Sequence, residues 1–569
     1  MREDTATYRF REDTVGVDKG TAVSSHLQGG NTEMRSKWKL ALALGVGASL
    51  AFGFAGTASA QKKGGILNFV VGSKIPSYDG HRESTFGMIH PIRPFYSTLI
   101  RVNPNNPQSP TDFQCDLCVG KVPAGTDGGL KYTFKIRKGV EFHDGQKLTA
   151  HDVVATFKKI ISPPKGIPSN RKAFFGMVES VTAPDDTTMV FKLKYATGGF
   201  LPAVALPFNF VYSKKDLETK GYNWHTKNIN GTGAFRFVQH QPGAFVEGKR
   251  FAKYHHAGKP YLDGYKAISA PKMAVRVQAI RGNRAAIEFR GFPPKTRDDL
   301  VKALGNKITV QESNWNCLMG SSPNQKKDKF KDPRVRKALS LAFDRWGGSK
   351  YLSQIAIVKT VGGIVFPGHP MAATEAELKS MDIFNPDNKM RRAMAKKLLA
   401  AAGKSGMDFV LWNRAVDQPY KIVGTWMIDQ WKQIGLNVKQ AVVPSGPWYA
   451  GLRKRKDFDV SIDFNCQSVV NPVVDSAKFI SADKTGNNYT SVIDRTLDKM
   501  YDEMNREPDQ KKVRKMLRKY ERRILDEQAN FLIAYWWYKI NPHRSYVKGW
   551  KIAPSHYLNQ HLDQVWLDK

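Results

Sequence analysis

The sequence predicts a mixed α/β fold, with α+β layers, because strand patterns and helix patterns alternate along the chain. Residues 131–137 alternate apolar and polar side chains as a half-buried strand does. The pattern restarts at Val140 before the turn at 143–145, which predicts a hairpin-like β unit. Helix patterns follow at Thr149 and at Asp332. At about 150 residues per domain, 569 residues correspond to several domains built from such layers.

Both predicted helices combine a capping residue with an apolar face. Thr149 can accept hydrogen bonds from the first turn while Asp152, at the third position, reaches back to the cap. Asp332 can cap the second helix, and Pro333 is tolerated in a first turn. The apolar faces are Val153, Val154, Phe157 and Ile160 in the first helix and Val335, Leu339, Ala342 and Phe343 in the second.

The N-terminal region has the pattern of a secretory signal peptide. Basic residues after Met34 precede the uncharged run 40–54, and small residues at 58 and 60 predict cleavage before Gln61 and a periplasmic protein. The 21 uncharged residues 40–60 could also span a bilayer, so an uncleaved anchor is the alternative. Residues 1–33 fit no signal pattern. We interpret them as a non-structural leader, and a start at Met1 or at Met34 stays open.

The composition predicts a globular protein with a strong positive charge. A mean hydropathy of −0.44 excludes a multi-span membrane protein, and 11% aromatic residues exclude a disordered chain. The chain has 88 Lys and Arg against 51 Asp and Glu, and residues 61–569 keep a net charge of +36. An exported protein meets little nucleic acid, so a nucleic-acid partner is not favoured. The charge is then suited to attracting an anionic ligand or an anionic membrane surface.

Four cysteines, Cys115, Cys118, Cys317 and Cys466, lie after the predicted cleavage site, and disulfides persist in exported proteins. Cys115 and Cys118 form a CxxC motif that could be half of a zinc site, a redox pair or a structural disulfide. We favour the disulfide, because the sequence has no second CxxC and no strand-helix-strand pattern beside this one.

The sequence contains no motif that predicts catalysis, a cofactor or a metal. Gly403-Lys-Ser405 resembles the end of a phosphate-binding loop, but Leu398 stands where its first glycine is needed. His255 and His256 lack the spacing of a zinc helix and predict a polar turn. An enzyme therefore remains possible, but the sequence names no candidate catalytic residue.

Two further runs predict structure rather than ligand contacts. Residues 511–523 are strongly basic, but apolar residues recur among them at helical spacing, which predicts a solvated helix face. The aromatic run 535–538 predicts a core strand.

Ordered blocks through the chain resemble the extracytoplasmic solute-binding proteins of family 5, which include dipeptide- and oligopeptide-binding receptors of ABC importers. The most specific block is Leu148-Thr-Ala-His-Asp-Val-Val154. The others are 64–67, 132–145, 230–235, 258–264, 330–345, 395–403 and 428–435.

The resemblance implies a two-lobe periplasmic-binding-protein architecture with a hinge and an extra inserted domain. After the leader 1–33 and the signal peptide 34–60, lobe I would comprise 61–101, 229–316 and 541–569. Domain II would be inserted at 102–228, and lobe III would be 317–540. A monomeric receptor would hold a peptide or peptide-like polar solute between the lobes and deliver it to an ABC permease in the inner membrane. The alternative is an exported, hydrolase-like enzyme on the same scaffold.

The resemblance also implies site residues and a Cys317–Cys466 disulfide. The candidate cleft residues are Ser73, Tyr78, Trp315, Trp412, Asn465, Gln467 and Ser468.

Ser468 stands where the peptide-binding branch has an aspartate for the free α-amino group of the peptide. A hydroxyl supplies no charge to a buried ammonium, so the sequence predicts a ligand without an obligatory free amino terminus. Such a ligand could be a blocked or modified peptide, a sugar conjugate or another polar solute, and the charge leaves an anionic one open. Asp463 and Asp475 are the nearest carboxylates that could compensate.

Overall fold

The strands form two large sheets and three small ones in the part of the chain that the computed structural model describes, residues 61–109, 111–455, 458–466 and 471–569. In chain order the strands are β1 (Ile66–Val71), β2 (Ile100–Val102), β3 (Phe113–Cys115), β4 (Lys131–Lys135), β5 (Val178–Asp185), β6 (Thr188–Leu193), β7 (Phe235–Gln241), β8 (Phe245–Arg250), β9 (Gly264–Ser269), β10 (Ile308–Pro323), β11 (Val358–Thr360), β12 (Asp408–Arg414), β13 (Asn437–Val443), β14 (Val460–Cys466), β15 (Leu532–Arg544), β16 (Val547–Lys548) and β17 (Trp566–Leu567).

The helices pack around these sheets. They are α1 (Phe86–Ile92), α2 (Ala150–Ile161), α3 (Phe200–Val204), α4 (Lys214–Thr219), α5 (Met273–Arg281), α6 (Pro294–Leu304), α7 (Pro333–Leu341), α8 (Arg345–Ile355), α9 (Glu375–Lys379), α10 (Asn388–Ala401), α11 (Ile422–Lys432), α12 (Ser445–Lys454), α13 (Pro472–Ser476), α14 (Arg495–Arg506) and α15 (Gln510–Arg522).

Three sheets define the bodies of the protein. We call the body on the sheet β1-β9-β8-β7 lobe I and the body on the sheet β11-β15-β10-β14-β12-β13 lobe III. The three-stranded sheet β4-β6-β5, covered by α2, forms the inserted domain. Parallel pairs occur in both lobes, β1 with β9 and β12 with both β13 and β14. Mixed sheets with packed helices confirm the predicted α/β fold.

The two predicted helices are confirmed. Thr149 and Asp152 form the capping box of α2, and all four predicted apolar side chains are buried. The Asp332 carboxylate accepts a hydrogen bond from the amide of Arg334 in the first turn of α7. This helix ends at Leu341, so the buried Phe343 lies just beyond the element predicted to carry it.

The β unit predicted at 131–142 pairs differently from a local hairpin. β4 pairs with β6, whose strand begins more than fifty residues later. Across the turn at 143–145, Glu141 and Lys147 form an isolated bridge. A local turn pattern therefore located the strand, but the partner was chosen by packing within the inserted domain.

The basic and aromatic runs form the predicted elements. α15 buries Val513, Leu517 and Tyr520 and leaves its basic residues on the opposite face. The aromatic run 535–538 lies inside β15, an interior strand of the lobe III sheet.

β10 and β15 are long paired strands that run across the predicted domain boundaries at 316/317 and 540/541. Their register shifts between Asn314 and Leu318, which marks a bulge in β10. Beyond the bulge, β10 also pairs with β14, and Cys317 lies directly opposite Cys466. These two cysteines are disulfide-bonded, and Cys115 is bonded to Cys118.

Among the described residues, no helix combines the length and the apolar character needed to cross a bilayer.

Candidate functional site

A polar cavity of about 40 Å³ lies where the three bodies meet. Lobe I supplies Ser84 and Tyr557, the inserted domain supplies Arg171, Phe174, Leu206 and Phe208, and lobe III supplies Phe464, Asn465, Cys466, Lys478, Asn487 and Tyr489. A molecule bound in this cavity would contact all three bodies, so its binding would depend on how they are positioned relative to one another.

Arg171 and two aromatic rings form the wall from the inserted domain and lobe I. The guanidinium of Arg171 lies 4.1 Å from the ring centroid of Phe208 and donates to the backbone oxygen of Glu83. Tyr557 packs edge-on against Phe208 with 4.9 Å between the ring centroids, and its hydroxyl donates to the backbone oxygen of Ser84 at 3.2 Å. Burial lowers the pKa of Arg171 to about 10, so the side chain stays charged at neutral pH.

A buried ion pair supports the lobe III wall. Lys478 Nζ lies 3.0 Å from Asp463 Oδ2 and also donates to the backbone oxygen of Asn487 at 2.9 Å. Burial raises the pKa of Asp463 and lowers that of Lys478, because both charged forms lose hydration. Asp463 is thus engaged by Lys478, which makes it a poor replacement for a missing ligand carboxylate.

Asn465, which is part of this wall, contacts Asp475. Asn465 Nδ2 donates to the backbone oxygen of Asp475 at 3.0 Å. Asp475 is fully buried, and burial raises the pKa of its carboxyl well above the usual range. Burial therefore opposes ionisation of Asp475, which weakens its case as the carboxylate that would compensate for Ser468.

Arg414, at the end of β12, connects lobe III to lobe I beside this cavity. Its Nη2 donates to the hydroxyls of Ser73 at 3.3 Å and Thr85 at 2.9 Å in lobe I. Its Nε donates to Ser445 at 2.9 Å, and Nη1 donates to Tyr420 at 3.3 Å. No motif in the sequence points to Arg414, and the one available signal is a charged residue at the end of a strand with apolar residues.

Arg290, in lobe I, shares two aromatic neighbours with Arg414. The guanidinium carbon of Arg290 lies 4.3 Å from the ring centroid of Phe86 and 5.5 Å from that of Tyr420. The guanidinium carbon of Arg414 lies 5.5 Å and 5.2 Å from the same two centroids. Arg290 also lies 5.0 Å from the ring centroid of Trp537. Burial lowers the pKa of Arg290 to about 10, and the positive charge of Arg414 acts in the same direction.

The candidate residues named from the sequence lie at different places in the structure. Asn465 lines the cavity between the bodies, whereas Ser73 contacts Arg414 and borders a second cavity of about 180 Å³ in lobe I. Tyr78 is half-buried and hydrogen-bonded to His240, which borders that second cavity.

Neither of the two candidate tryptophans is among the residues that line the cavity with Asn465. Trp315 is fully buried and donates its Nε1 proton to His556 at 2.8 Å, and Trp412 stacks on Phe458. The remaining two candidates, Gln467 and Ser468, lie outside the described residues.

His255 and His256 form a polar cluster with a carboxylate that the sequence did not point to. Their Nε2 atoms lie 3.3 Å and 3.0 Å from Asp116 Oδ1. Arg93 lies 3.6 Å from the same carboxylate, and Arg101 holds the pKa of Asp116 well below its usual range despite burial. Two cationic neighbours oppose a metal ion here, so the cluster is best described as hydrogen bonds and ion pairs.

Comparison with known proteins assigns this chain to a family. Residues 123–487 match the model "Bacterial extracellular solute-binding proteins, family 5 Middle". The oligopeptide-binding protein AppA of Bacillus subtilis is 31% identical over 340 residues, which cover 56% of this chain. The alignment spans 59% of that relative's length, less than two thirds of it.

Solved structures share the two-lobe fold. AppA of Bacillus subtilis in complex with a nonapeptide has a TM-score of 0.77 at 22% identity, covering 90% of this chain and 100% of that one. AgaA of A. tumefaciens R10 in complex with agropinic acid has a TM-score of 0.76 at 20% identity, covering 89% and 99%. The family match covers well over half of the chain, and the protein therefore belongs to the bacterial extracellular solute-binding proteins of family 5.

Proposed function

We propose that this protein is a periplasmic substrate-binding protein of an ABC importer, which captures a peptide or peptide-like polar solute between its lobes and delivers it to a membrane permease. The observation that carries the proposal is the polar cavity lined by both lobes and the inserted domain. Because the family is one of solute-binding proteins rather than enzymes, the receptor is favoured over the exported hydrolase-like alternative.

A ligand in this cavity would act by shifting the balance between open and closed lobes. Contacts made with both lobes exist only in the closed form, so binding favours closure. We place the hinge where β10 and β15 pass between the lobes, near the bulge after Asn314. On this proposal the domain boundaries stay as predicted: 61–101, 229–316 and 541–569 for lobe I, 102–228 for the insertion, and 317–540 for lobe III.

The chemical class of the solute is the open part of the proposal. The related fold holds a nonapeptide in AppA and agropinic acid in AgaA, so it accommodates peptides and other organic acids. Asp463 is engaged by Lys478, and burial opposes ionisation of Asp475, which supports the prediction that a free α-amino group is not required.

Calorimetry tests this prediction. A mixture of di- to pentapeptides and the same mixture after N-acetylation should bind with similar affinity. Ser468→Asp should strengthen binding of the free-amine mixture alone, whereas Ser468→Asn, which adds no charge, should not. Tight binding of free-amine peptides that acetylation abolishes would overturn the Ser468 argument. Mass spectrometry of the recovered peptides should show them unchanged, and a cleaved product would favour the enzyme.

Processing and assembly complete the proposal. We propose cleavage before Gln61, a monomer in the periplasm and docking to a permease. N-terminal sequencing of the exported protein should begin at Gln61, and light scattering should give the mass of one chain. A retained 40–60 segment would support the anchored alternative, and residues 1–33 on the exported protein would show that they are not a discarded leader.

A further inference from the structure

We propose that the exposed lysines of α15 form a docking surface for the anionic headgroups of a lipid bilayer, which would hold the exported protein close to a membrane. The inference goes beyond the proposed receptor function, because it concerns a surface helix of lobe III and not the solute cavity. The four lysines, which we call the α15 lysine face, are Lys511, Lys512, Lys515 and Lys519.

The α15 lysine face occupies one side of the helix. Lys511, Lys515 and Lys519 recur every four residues, and Lys512 lies three residues before Lys515 on the same side. All four are exposed, whereas the apolar residues of the helix are buried on the opposite side. At a rise of about 1.5 Å per residue the face is about 12 Å long. This length is close to the screening length of about 8 Å at physiological salt, so the four charges would act together on an external surface.

The carboxylates that contact α15 are engaged by its arginines. Arg514 Nη2 lies 2.6 Å from Glu377 Oε2, and Arg518 Nη1 lies 2.7 Å from Glu521 Oε2. In the part of the chain that the structure describes, no lysine of the α15 lysine face has an ion pair or a side-chain hydrogen bond. The positive charge of this face is therefore not compensated by the fold.

The positions of the lysines are unfavourable for the helix itself. Lys511 and Lys512 lie in the first turn, where the helix dipole disfavours positive charge. The N-cap residue Asp509 offsets part of this cost by accepting hydrogen bonds from the amides of both residues. Lys515 lies four residues from Lys511 and from Lys519, and like charges at this spacing repel. The face thus stabilises neither the helix nor its packing, whereas an anionic surface would replace the repulsion with attraction.

Lysine suits a layer of headgroups better than one acidic group. Its ammonium is a hydrated point charge on a flexible stem, whereas arginine has a planar fork that fits a single carboxylate in a fixed geometry. In α15 the arginines Arg514 and Arg518 are used in that way within the fold, and the lysines face outward. The net charge of +36 on residues 61–569 adds a long-range attraction in the same direction.

Flotation with lipid vesicles tests the docking surface on the exported protein. At about 0.1 M salt the protein should bind vesicles of phosphatidylcholine that contain about one third phosphatidylglycerol, but not phosphatidylcholine alone. About 1 M salt should release it, because the screening length falls to about 3 Å. The α15 glutamine variant should bind about 50-fold more weakly or less, since each basic residue near an anionic surface contributes to binding. This variant combines Lys511→Gln, Lys512→Gln, Lys515→Gln and Lys519→Gln.

A matched control separates the α15 lysine face from the total charge. It removes four exposed lysines of the inserted domain and combines Lys121→Gln, Lys138→Gln, Lys158→Gln and Lys165→Gln. The control should bind vesicles as the wild type does, and so should a variant with arginine at the four positions of α15. All variants share one N-terminus, so a retained 40–60 segment would affect them equally.

Thermal unfolding checks the local argument, and calorimetry separates docking from the receptor function. The α15 glutamine variant should have a Tm no lower than that of the wild type, because the repulsion along the helix is removed. It should also bind solute as the wild type does, since the α15 lysine face lies outside the cavity. A solute that binds to neither protein would count against the receptor, whereas the vesicle result would stand by itself.

Four results would overturn the docking surface. They are absence of vesicle binding by the wild type, equal loss of binding in the α15 glutamine variant and the control, a lowered Tm of the α15 glutamine variant, and loss of permease binding without loss of vesicle binding. The last result would make the partner of the α15 lysine face a protein. Vesicle binding that needs phosphatidylglycerol and is lost only in the α15 glutamine variant supports the proposal.

Discussion

Lys539 illustrates how a single buried residue can make the stability of the protein depend on pH. Its ammonium is fully buried in β15 and has no hydrogen-bond acceptor among the described residues. Burial lowers the pKa of Lys539 to about 7, compared with about 10.4 for an unfolded lysine. Between these two values the unfolded chain holds a proton that the folded chain does not, so stability should rise with pH across this range.

We predict that Lys539→Met removes this dependence. In the wild type, the free energy of unfolding should rise by up to about 1.4 kcal/mol per pH unit between pH 7 and pH 10 relative to the variant. The variant should also be the more stable of the two at pH 7. Urea titrations of both proteins at pH 7, 8 and 9 measure the difference. Parallel curves would show that Lys539 is not the titrating group.

The buried pair of Asp463 and Lys478 gives a second prediction at this scale. Asp463→Asn should lower the free energy of unfolding by about 3 to 5 kcal/mol, because it leaves a buried ammonium without its counter-charge. Asp463→Asn combined with Lys478→Met should recover most of this loss. A double-mutant cycle in urea measures the coupling, and additive losses would contradict it.

Individual site residues were the least predictable part of the protein. Arg414 meets Ser73, which lies 341 positions earlier in the sequence. Asp116 meets His256 across 140 positions. A lone arginine or histidine has no periodicity and no motif, so its partners follow only from the three-dimensional fold. The sequence could name Ser73 and Asn465 by resemblance, but not the two arginines.

At the scale of elements, local patterns were reliable where the chain makes its own contacts. The capping box of α2 depends on Thr149 and Asp152, three residues apart, and was predicted correctly. The partner of β4 was not, because strand pairing is decided by tertiary packing that a local pattern does not contain.

The capping box supplies an element-scale prediction. Thr149→Ala should lower the free energy of unfolding by about 1 kcal/mol, since two amides of the first turn lose their side-chain acceptor. Thr149→Ser keeps the hydroxyl and should stay close to the wild type. Urea unfolding of the three proteins decides it, and equal losses in Ala and Ser would point to the lost methyl group instead.

The two disulfides provide a matched comparison. Cys317–Cys466 joins β10 to β14 across a sequence separation of 149, whereas Cys115–Cys118 spans only 3. On the chain-entropy model, replacing the long-range pair by serines should cost up to about 5 kcal/mol and the short-range pair about 2. Guanidinium unfolding of both double variants tests this, and equal losses would show that loop length does not govern the effect.

At the scale of the whole molecule, the two-lobe architecture was predictable because several blocks of the family recur in order. The excess of positive charge was also visible in the sequence, with +36 on residues 61–569. Neither the composition nor the blocks could show where the charge is concentrated, because that depends on which cations the fold brings together.

The net charge gives a kinetic prediction. An anionic peptide should associate about tenfold more slowly at 1 M than at 10 mM salt, because the screening length falls from about 30 Å to about 3 Å. An uncharged peptide, acetylated and amidated, should show little change. Stopped-flow fluorescence measures both rates, and equal salt dependence for the two peptides would contradict electrostatic steering.

The interior position of β15 in the sheet has a consequence for biogenesis. In the lobe III sheet this strand lies between β11 and β10, although it begins only at Leu532. A chain that is delivered amino end first across a membrane presents β10 and β11 long before it presents their shared partner. The sheet therefore cannot be completed while the chain is in transit, and its exposed edges need protection from aggregation until then. Export favours such a delay, because an interior strand that arrives late keeps the sheet incomplete, and the chain able to pass through the membrane, until almost all of it has crossed.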